Sequence, residues 1–164
     1  MHRELQTLYE QHRADRHDLA CVDQAQCQRL LWRDAARRER VEALLASEGN
    51  LLDAQDYFHA AMVFQHGETP KHFFLAHTLA YQGARQGHLA CFSLMAAPYD
   101  RLLMSQGHPQ KYGTQYIIQE GRWVLFAVDP ATTDEQRARW NVPPLAQCLH
   151  KAEEMNQSLF SPSM

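Results

Sequence analysis

Apolar residues recur every three or four positions through the first 105 residues, then give way to short β-branched and aromatic runs. Leu5, Leu8, Tyr9 and His12 predict an amphipathic helix over residues 3–17. Leu30, Leu31, Ala35, Val41, Leu44 and Leu45 mark the apolar stripe of a second, from about Gln24 to Ser47, with Gly49-Asn50 as its C-terminal cap. Asp53 is placed to cap a third helix, which carries Tyr57, Phe58, Met62 and Phe64 and stops at Gly67. Thr69-Pro70 supplies an N-cap and a first-turn proline for a fourth, holding Phe73, Phe74, Ala76, Leu79, Ala80 and Tyr81 before Gly83 and Gly87 loosen it. A fifth starts at His88 or Leu89 and reaches Ala97. Pro98 then predicts a kink or a fresh turn, because proline cannot donate to the helical ladder and crowds the turn before it. A sixth piece, from Pro98 to Ser105, ends at Gly107.

Beyond Gly113 the period changes. T-Q-Y-I-I-Q and R-W-V-L-F-A-V flank Glu120-Gly121, which predicts a β-hairpin closed by Asp129-Pro130. Thr133 with Gln136 has the spacing of a capping box for a short helix holding Arg137 and Trp140. Pro143-Pro144 launches a last helix to about Asn156. Short helices joined by short loops imply antiparallel neighbours. The fold class is therefore mainly α: a compact antiparallel bundle with one small hairpin near residues 114–128. Residues 1–157 form a single domain, and 158–164 a frayed tail. The run A-R-Q-G-H-L-A-C-F-S-L-M-A-A-P-Y-D-R also resembles a tetratricopeptide-type helix pair of the Sel1 kind. It has no second clean copy, and a solenoid needs about three repeats.

Composition narrows the function classes. The 164 residues, 45% of them hydrophobic, suffice for one core, and a net charge of −3 gives no global field to draw nucleic acid or acidic lipid. Arg29, Arg33, Arg37, Arg38 and Arg40 crowd together, but Asp34, Glu39 and Glu42 interleave with them, as on a solvated helix face. Cys21, Cys27, Cys91 and Cys148 form no C-x-x-C pair. No apolar run is long enough to span a membrane, and the first residues lack the pattern of a signal peptide. Free thiols without an export signal point to the cytoplasm.

The chemistry concentrates in Tyr99 to Gln115, Y-D-R-L-L-M-S-Q-G-H-P-Q-K-Y-G-T-Q. Such varied polar groups need hydrogen-bond partners when buried, so they suit a pocket floor or a tight corner between bundle and hairpin. Arg101 could grip a carboxylate or phosphate and Asp100 act as general base, or both could tie the hairpin to the bundle. Gln65, Gln110 and Gln115 would orient a ligand without ionising. Tyr112 offers a hydroxyl and a ring, and Gly113 a special backbone angle. Ten histidines add a second theme. His59 and His66 lie two turns apart, and with His77 they are candidate ligands for a divalent metal. The competing reading makes them surface or capping residues. Motifs for nucleophilic catalysis and for nucleotide phosphates are missing from the sequence.

D-Y-F-H-A-A-M-V-F-Q-H-G at 56–67, Y-D-R-L-L at 99–103 and P-Q-K-Y-G-T-Q at 109–115 resemble an uncharacterised bacterial and fungal domain family. That domain of unknown function is marked by Gln-His, Asp-Arg and Gln-x-Tyr-Gly-Thr-Gln. The likeness covers about residues 34 to 145, with Asp34 opening an Asp-x-x-Arg pair and Arg137 near its end. It implies that Gln65, His66, Asp100, Arg101, Gln110, Tyr112, Gly113, Thr114 and Gln115 are motif positions, and it implies no activity. Two functions follow. One is a pocket for a small polar or anionic ligand, with His66, Asp100 and Tyr112 as acid/base groups, Gln65, Arg101, Gln110, Thr114 and Gln115 as binding groups, and hydrolysis, metal-assisted or not, as the reaction class. The other is a helical adaptor that binds a protein through Phe58, Phe73, Phe74, Tyr81 and Phe92.

Overall fold

The structure, a computed structural model, describes residues 1–17, 24–48 and 52–160. Its elements are α1 (Arg3–His17), α2 (Gln24–Glu48), α3 (Ala54–Gln65), α4 (Pro70–Arg85), α5 (Ala90–Ser105), β1 (Tyr116–Gln119), β2 (Arg122–Leu125), α6 (Asp134–Arg139) and α7 (Leu145–Phe160). The expected class is what is found: a helical bundle with one two-stranded antiparallel hairpin. Gly49-Asn50, Cys21 and residues 161–164 lie outside the described residues, and α7 continues past Asn156 to Phe160.

Local signals start the elements where the sequence predicts. Asp53 and Asp56 form a capping box at the head of α3, Thr69 caps α4 with Pro70 behind it, and Thr133 and Gln136 cap α6. The hairpin turns through Glu120 and Gly121, both at positive φ (51° and 77°), the geometry that matches the twist of the strands on either side. Its register pairs Tyr116 with Leu125 and Gln119 with Arg122.

The core is built chiefly from α3, α4 and α5, with α1 and α2 laid against α3. Ala60, Ala61, Ala76 and Ala80 are fully buried among Val63, Phe64, Leu79, Leu94 and Met95, so small residues let the three helices approach closely. Gly83 shows how closely, since a Cβ there would stand 2.6 Å from Cys91 Sγ. Burial pushes the Cys91 thiol up to about 11, so it serves as a packing group.

Three expectations fail. Of the kink or fresh turn expected at Pro98, the fresh turn is not found: α5 runs on through Pro98, which is fully buried. Tertiary packing outweighs the lost backbone bond there. The stripe of α2 is not apolar throughout. Leu31 and Trp32 are 39% and 69% exposed, whereas Asp34, Arg37 and Arg38 are buried beside Val41 and Leu44. The basic run is thus no simple solvated face. Nor do the aromatic residues form one groove: Phe58 and Phe92 pack on the core, and only Phe74 and Tyr81 of the five are exposed.

Candidate functional site

The polar stretch separates into two places with different character. The first is a corner. Asp100 is fully buried in α5, and its carboxylate collects the loop that follows. Oδ1 accepts from the backbone N–H of Lys111 (2.7 Å) and Tyr112 (2.9 Å), and Oδ2 from the Thr114 N–H (3.1 Å) and hydroxyl (2.7 Å). Burial pushes the carboxyl above its ordinary value, against the pull of these four donors. Every lone-pair direction is taken, so the general-base role expected of Asp100 has no free oxygen to use.

Gln110 is equally occupied. Its Nε2 donates to the carbonyls of Gln115 and Phe126, its Oε1 accepts from the Gln115 N–H, and its backbone bonds Ala127 and Asp129. Gln115 Nε2 donates to Thr114 Oγ1, and Gln115 Oε1 accepts from Arg101 Nε at 2.9 Å. Gly113, at φ +82°, lets the loop turn between these anchors. Arg137, 1% exposed, donates Nε to the Tyr112 carbonyl and Nη1 to the Thr132 carbonyl. The Tyr112 ring stacks on Trp140 at 4.5 Å, burial pushes its hydroxyl up to about 12, and its backbone is held from both sides. Asp100, Gln110, Tyr112, Thr114 and Gln115 therefore fasten hairpin to bundle, with Arg137 and Trp140 from beyond the hairpin completing the corner.

The second place lies where α1, α2 and α3 meet. Asp34 is 2% exposed and takes Arg16 Nη2 at 2.6 Å on one oxygen and Arg37 Nη1 at 2.9 Å on the other. Burial alone would raise this carboxyl, yet its contacts with His12 and Arg16 hold it well below the ordinary carboxylate range. Arg37 also pairs with Asp15. Behind them His12, 1% exposed, places Nε2 3.0 Å from His66 Nδ1.

His12 Nδ1 lies between a guanidinium and a carboxylate. A guanidinium nitrogen can only donate, and Arg16 Nη1 stands 3.0 Å from His12 Nδ1, nearer than Asp34 Oδ1 at 3.3 Å. Which ring nitrogen carries the proton depends on the tautomer, and with it the direction of the bond between His12 Nε2 and His66 Nδ1; His66 Nε2 faces the Gln65 amide nitrogen at 3.4 Å. Burial, followed by the charges of Arg16, His12 and Arg101, pushes the His66 imidazole down to about 3. His66 is therefore neutral near neutral pH, with one ring nitrogen a donor and the other an acceptor.

Arg101 joins the two places. Its Nε is tied to Gln115 in the corner, while its charge is felt by His66 and it feels that of Arg16. Among the described residues no carboxylate pairs with it.

The three histidines expected around a metal are separated by their partners. His59 bonds Gln55 at 2.8 Å and stacks on Tyr9, His66 bonds His12, and His77 bonds the Met95 carbonyl and stacks on Trp140. Among the described residues no group of three His, Cys, Asp or Glu side chains is arranged to hold a metal ion. His12, Arg16 and Asp34 were not singled out as site residues from sequence. Only the Asp34–Arg37 spacing hinted at them.

No family model, curated protein or solved structure matches this chain. No helix among the described residues is long and apolar enough to cross a membrane.

Proposed function

We propose that this protein binds a small polar molecule at the junction of α1, α3 and α5 and polarises an oxygen of it through His66. The observation that carries this reading is the buried contact of His12 Nε2 with His66 Nδ1 at 3.0 Å, with Arg16 Nη1 3.0 Å from His12 Nδ1; in this reading Arg16 donates to His12 and His12 to His66. That direction would leave the His66 Nε2 proton for a ligand, on an imidazole that burial keeps neutral near neutral pH. A neutral imidazole of lowered basicity can act as an electrophilic donor to a carbonyl or a developing oxyanion. Arg101 would hold an anionic part of the same ligand and Gln65 its polar edge. Asp100, saturated in the corner, takes no part at this place.

The test is a thermal-shift screen of small carbonyl compounds, sugars, amides and anions on wild type and His66→Ala. Ligands that raise the wild-type midpoint are expected to leave the variant unmoved, with the variant itself melting within a few degrees of wild type. A variant melting more than about 8 °C lower, a loss of roughly 2 kcal/mol or more at this size, would make the ring a structural strut.

A protein-docking role rests on one feature, the exposed Phe74 and Tyr81 seven residues apart on one face of α4. Alanine at both positions is expected to leave ligand shifts unchanged. Loss of those shifts would move the site to that face.

A further inference from the structure

Between β1, the loop before it and the start of α7 lies a cavity of about 170 Å³ that shares no residue with the site at His66. Its floor is apolar, formed by Gly113, Val142, Pro143, Cys148 and Tyr116. The Tyr116 hydroxyl donates to the Cys148 carbonyl at 3.1 Å, so what Tyr116 has left to offer is its ring. Burial pushes the Cys148 thiol above its ordinary value, and the wall it forms stays uncharged. An apolar cavity of roughly 150 Å³ is enough to admit benzene, so this one has room for a single six-membered ring.

The rim is polar and carries one cation. Lys151 Nζ stands 5.5 Å from the centre of the Tyr116 ring, and among the described residues no carboxylate pairs with it. The acidic residues next along α7 are engaged elsewhere: Glu154 takes His150 at 3.3 Å, and Glu153 lines the groove against β2. Beside the lysine, Asn141 and Gln147 line the cavity, and their carboxamides hydrogen-bond no other described residue. The Ser93 and Thr114 hydroxyls at the same edge are spent on the Ala90 carbonyl and on Asp100.

From this apolar slot beside an ammonium without a carboxylate we propose a second binding site, for a small aromatic carboxylate of benzoate size. The ring enters the slot against Val142 and Tyr116, and the carboxylate meets Lys151 with an amide N–H of Asn141 or Gln147. Each half of such a ligand answers one half of the site. An acid without a ring leaves the slot empty of apolar contacts, and a ring without a charge leaves Lys151 over Tyr116. The lysine stem is flexible and its charge compact, so the ammonium can follow the carboxylate. The rim is open to water, so added salt screens the pair and should weaken a charged ligand but not a neutral one.

The experiment titrates benzoate, acetate and benzyl alcohol into the full chain, followed by heteronuclear NMR. Wild type, Lys151→Gln, Lys151→Arg and, as a remote charge control, Arg85→Gln are compared after far-UV circular dichroism has verified their fold. Lys151 is exposed, so its replacement leaves the core alone. Expected is saturable one-to-one binding of benzoate with a Kd of about 1 mM or tighter, in keeping with so small a ligand. Nuclear Overhauser effects should join its ring protons to the Val142 methyls. Lys151→Gln should weaken benzoate roughly three-fold or more, Lys151→Arg should recover it, and Arg85→Gln should change nothing. Acetate should bind roughly ten-fold or more weakly than benzoate, and benzyl alcohol weakly but equally to wild type and Lys151→Gln. No saturation by benzoate below about 10 mM, ring contacts that miss Val142, an unaffected Lys151→Gln, equal loss in Arg85→Gln, or acetate or benzyl alcohol as tight as benzoate overturns the proposal. A benzoate response lost in His66→Ala and kept in Lys151→Gln places the ligand at the other site and overturns this one too.

Discussion

Asp100 carries four hydrogen bonds on two oxygens, and that count decides what it does. A base needs a lone pair free to receive a proton, and Asp100 has spent all of them on the Lys111–Thr114 segment. Asp100→Asn places an amide against N–H donors, so at least one buried donor loses its partner. The expected cost is roughly 3 kcal/mol, read as a lower urea midpoint with unchanged m-value. A variant as stable as wild type would mean the loop closes without the carboxylate. The residues of this corner were legible in sequence because their identities are unusual together. Whether they face a ligand or one another was not, since glutamine, threonine and aspartate serve both purposes. His12, Arg16 and Asp34 were harder still. They come from two helices 22 positions apart, and a buried charge cluster leaves no apolar signature to read.

Element boundaries were the most readable feature, because caps act through neighbours three residues away. Asp53, Thr69 and Thr133 all start helices as their chemistry dictates. Pro98 misleads for the opposite reason. Its local cost near 3 kcal/mol is overruled by burial of α5 against α4, which no local pattern reports. The middle of α2 misleads likewise, since Asp34, Arg37 and Arg38 turn inward while Leu31 and Trp32 stay out. Two substitutions test the element-level packing. Gly83→Ala should destabilise by about 1–3 kcal/mol through the Cys91 contact, and Cys91→Ala in the same chain should recover part of that loss. Glu120→Asn should stabilise by roughly 0.5–1 kcal/mol, because asparagine tolerates the left-handed angle that glutamate is forced to adopt. Urea midpoints check both signs.

At the scale of the whole molecule, the buried ionisable groups set how stability follows pH. His12 and His66 both have basicities lowered by burial, His66 to about 3 from an ordinary 6.5. Below pH 6.5 the unfolded chain binds protons that the folded chain refuses, so stability falls as pH falls, by up to roughly 1.4 kcal/mol per pH unit for each such ring. The Asp34 carboxyl adds to the same slope below its ordinary 3.8, because its folded value is depressed and its contribution is lost on acidification. Denaturant melts between pH 4 and 8 should show a steep acid limb starting near 6.5. His12→Asn should flatten it, whereas a limb starting only near 4 would assign the loss to carboxylates alone.

The same neutrality is the premise of the ligand site, and nitrogen-15 NMR of the imidazole rings observes it without a ligand. Assigned through a His66→Gln variant, the His66 ring should show its proton on Nε2, its Nδ1 as an unprotonated acceptor, and no titration from pH 8 down to 5. A His66 ring protonated on Nδ1, or one that titrates near 6.5, would contradict the account. It would turn the donor back into a base and remove the chain from Arg16 through His12 on which the function is built.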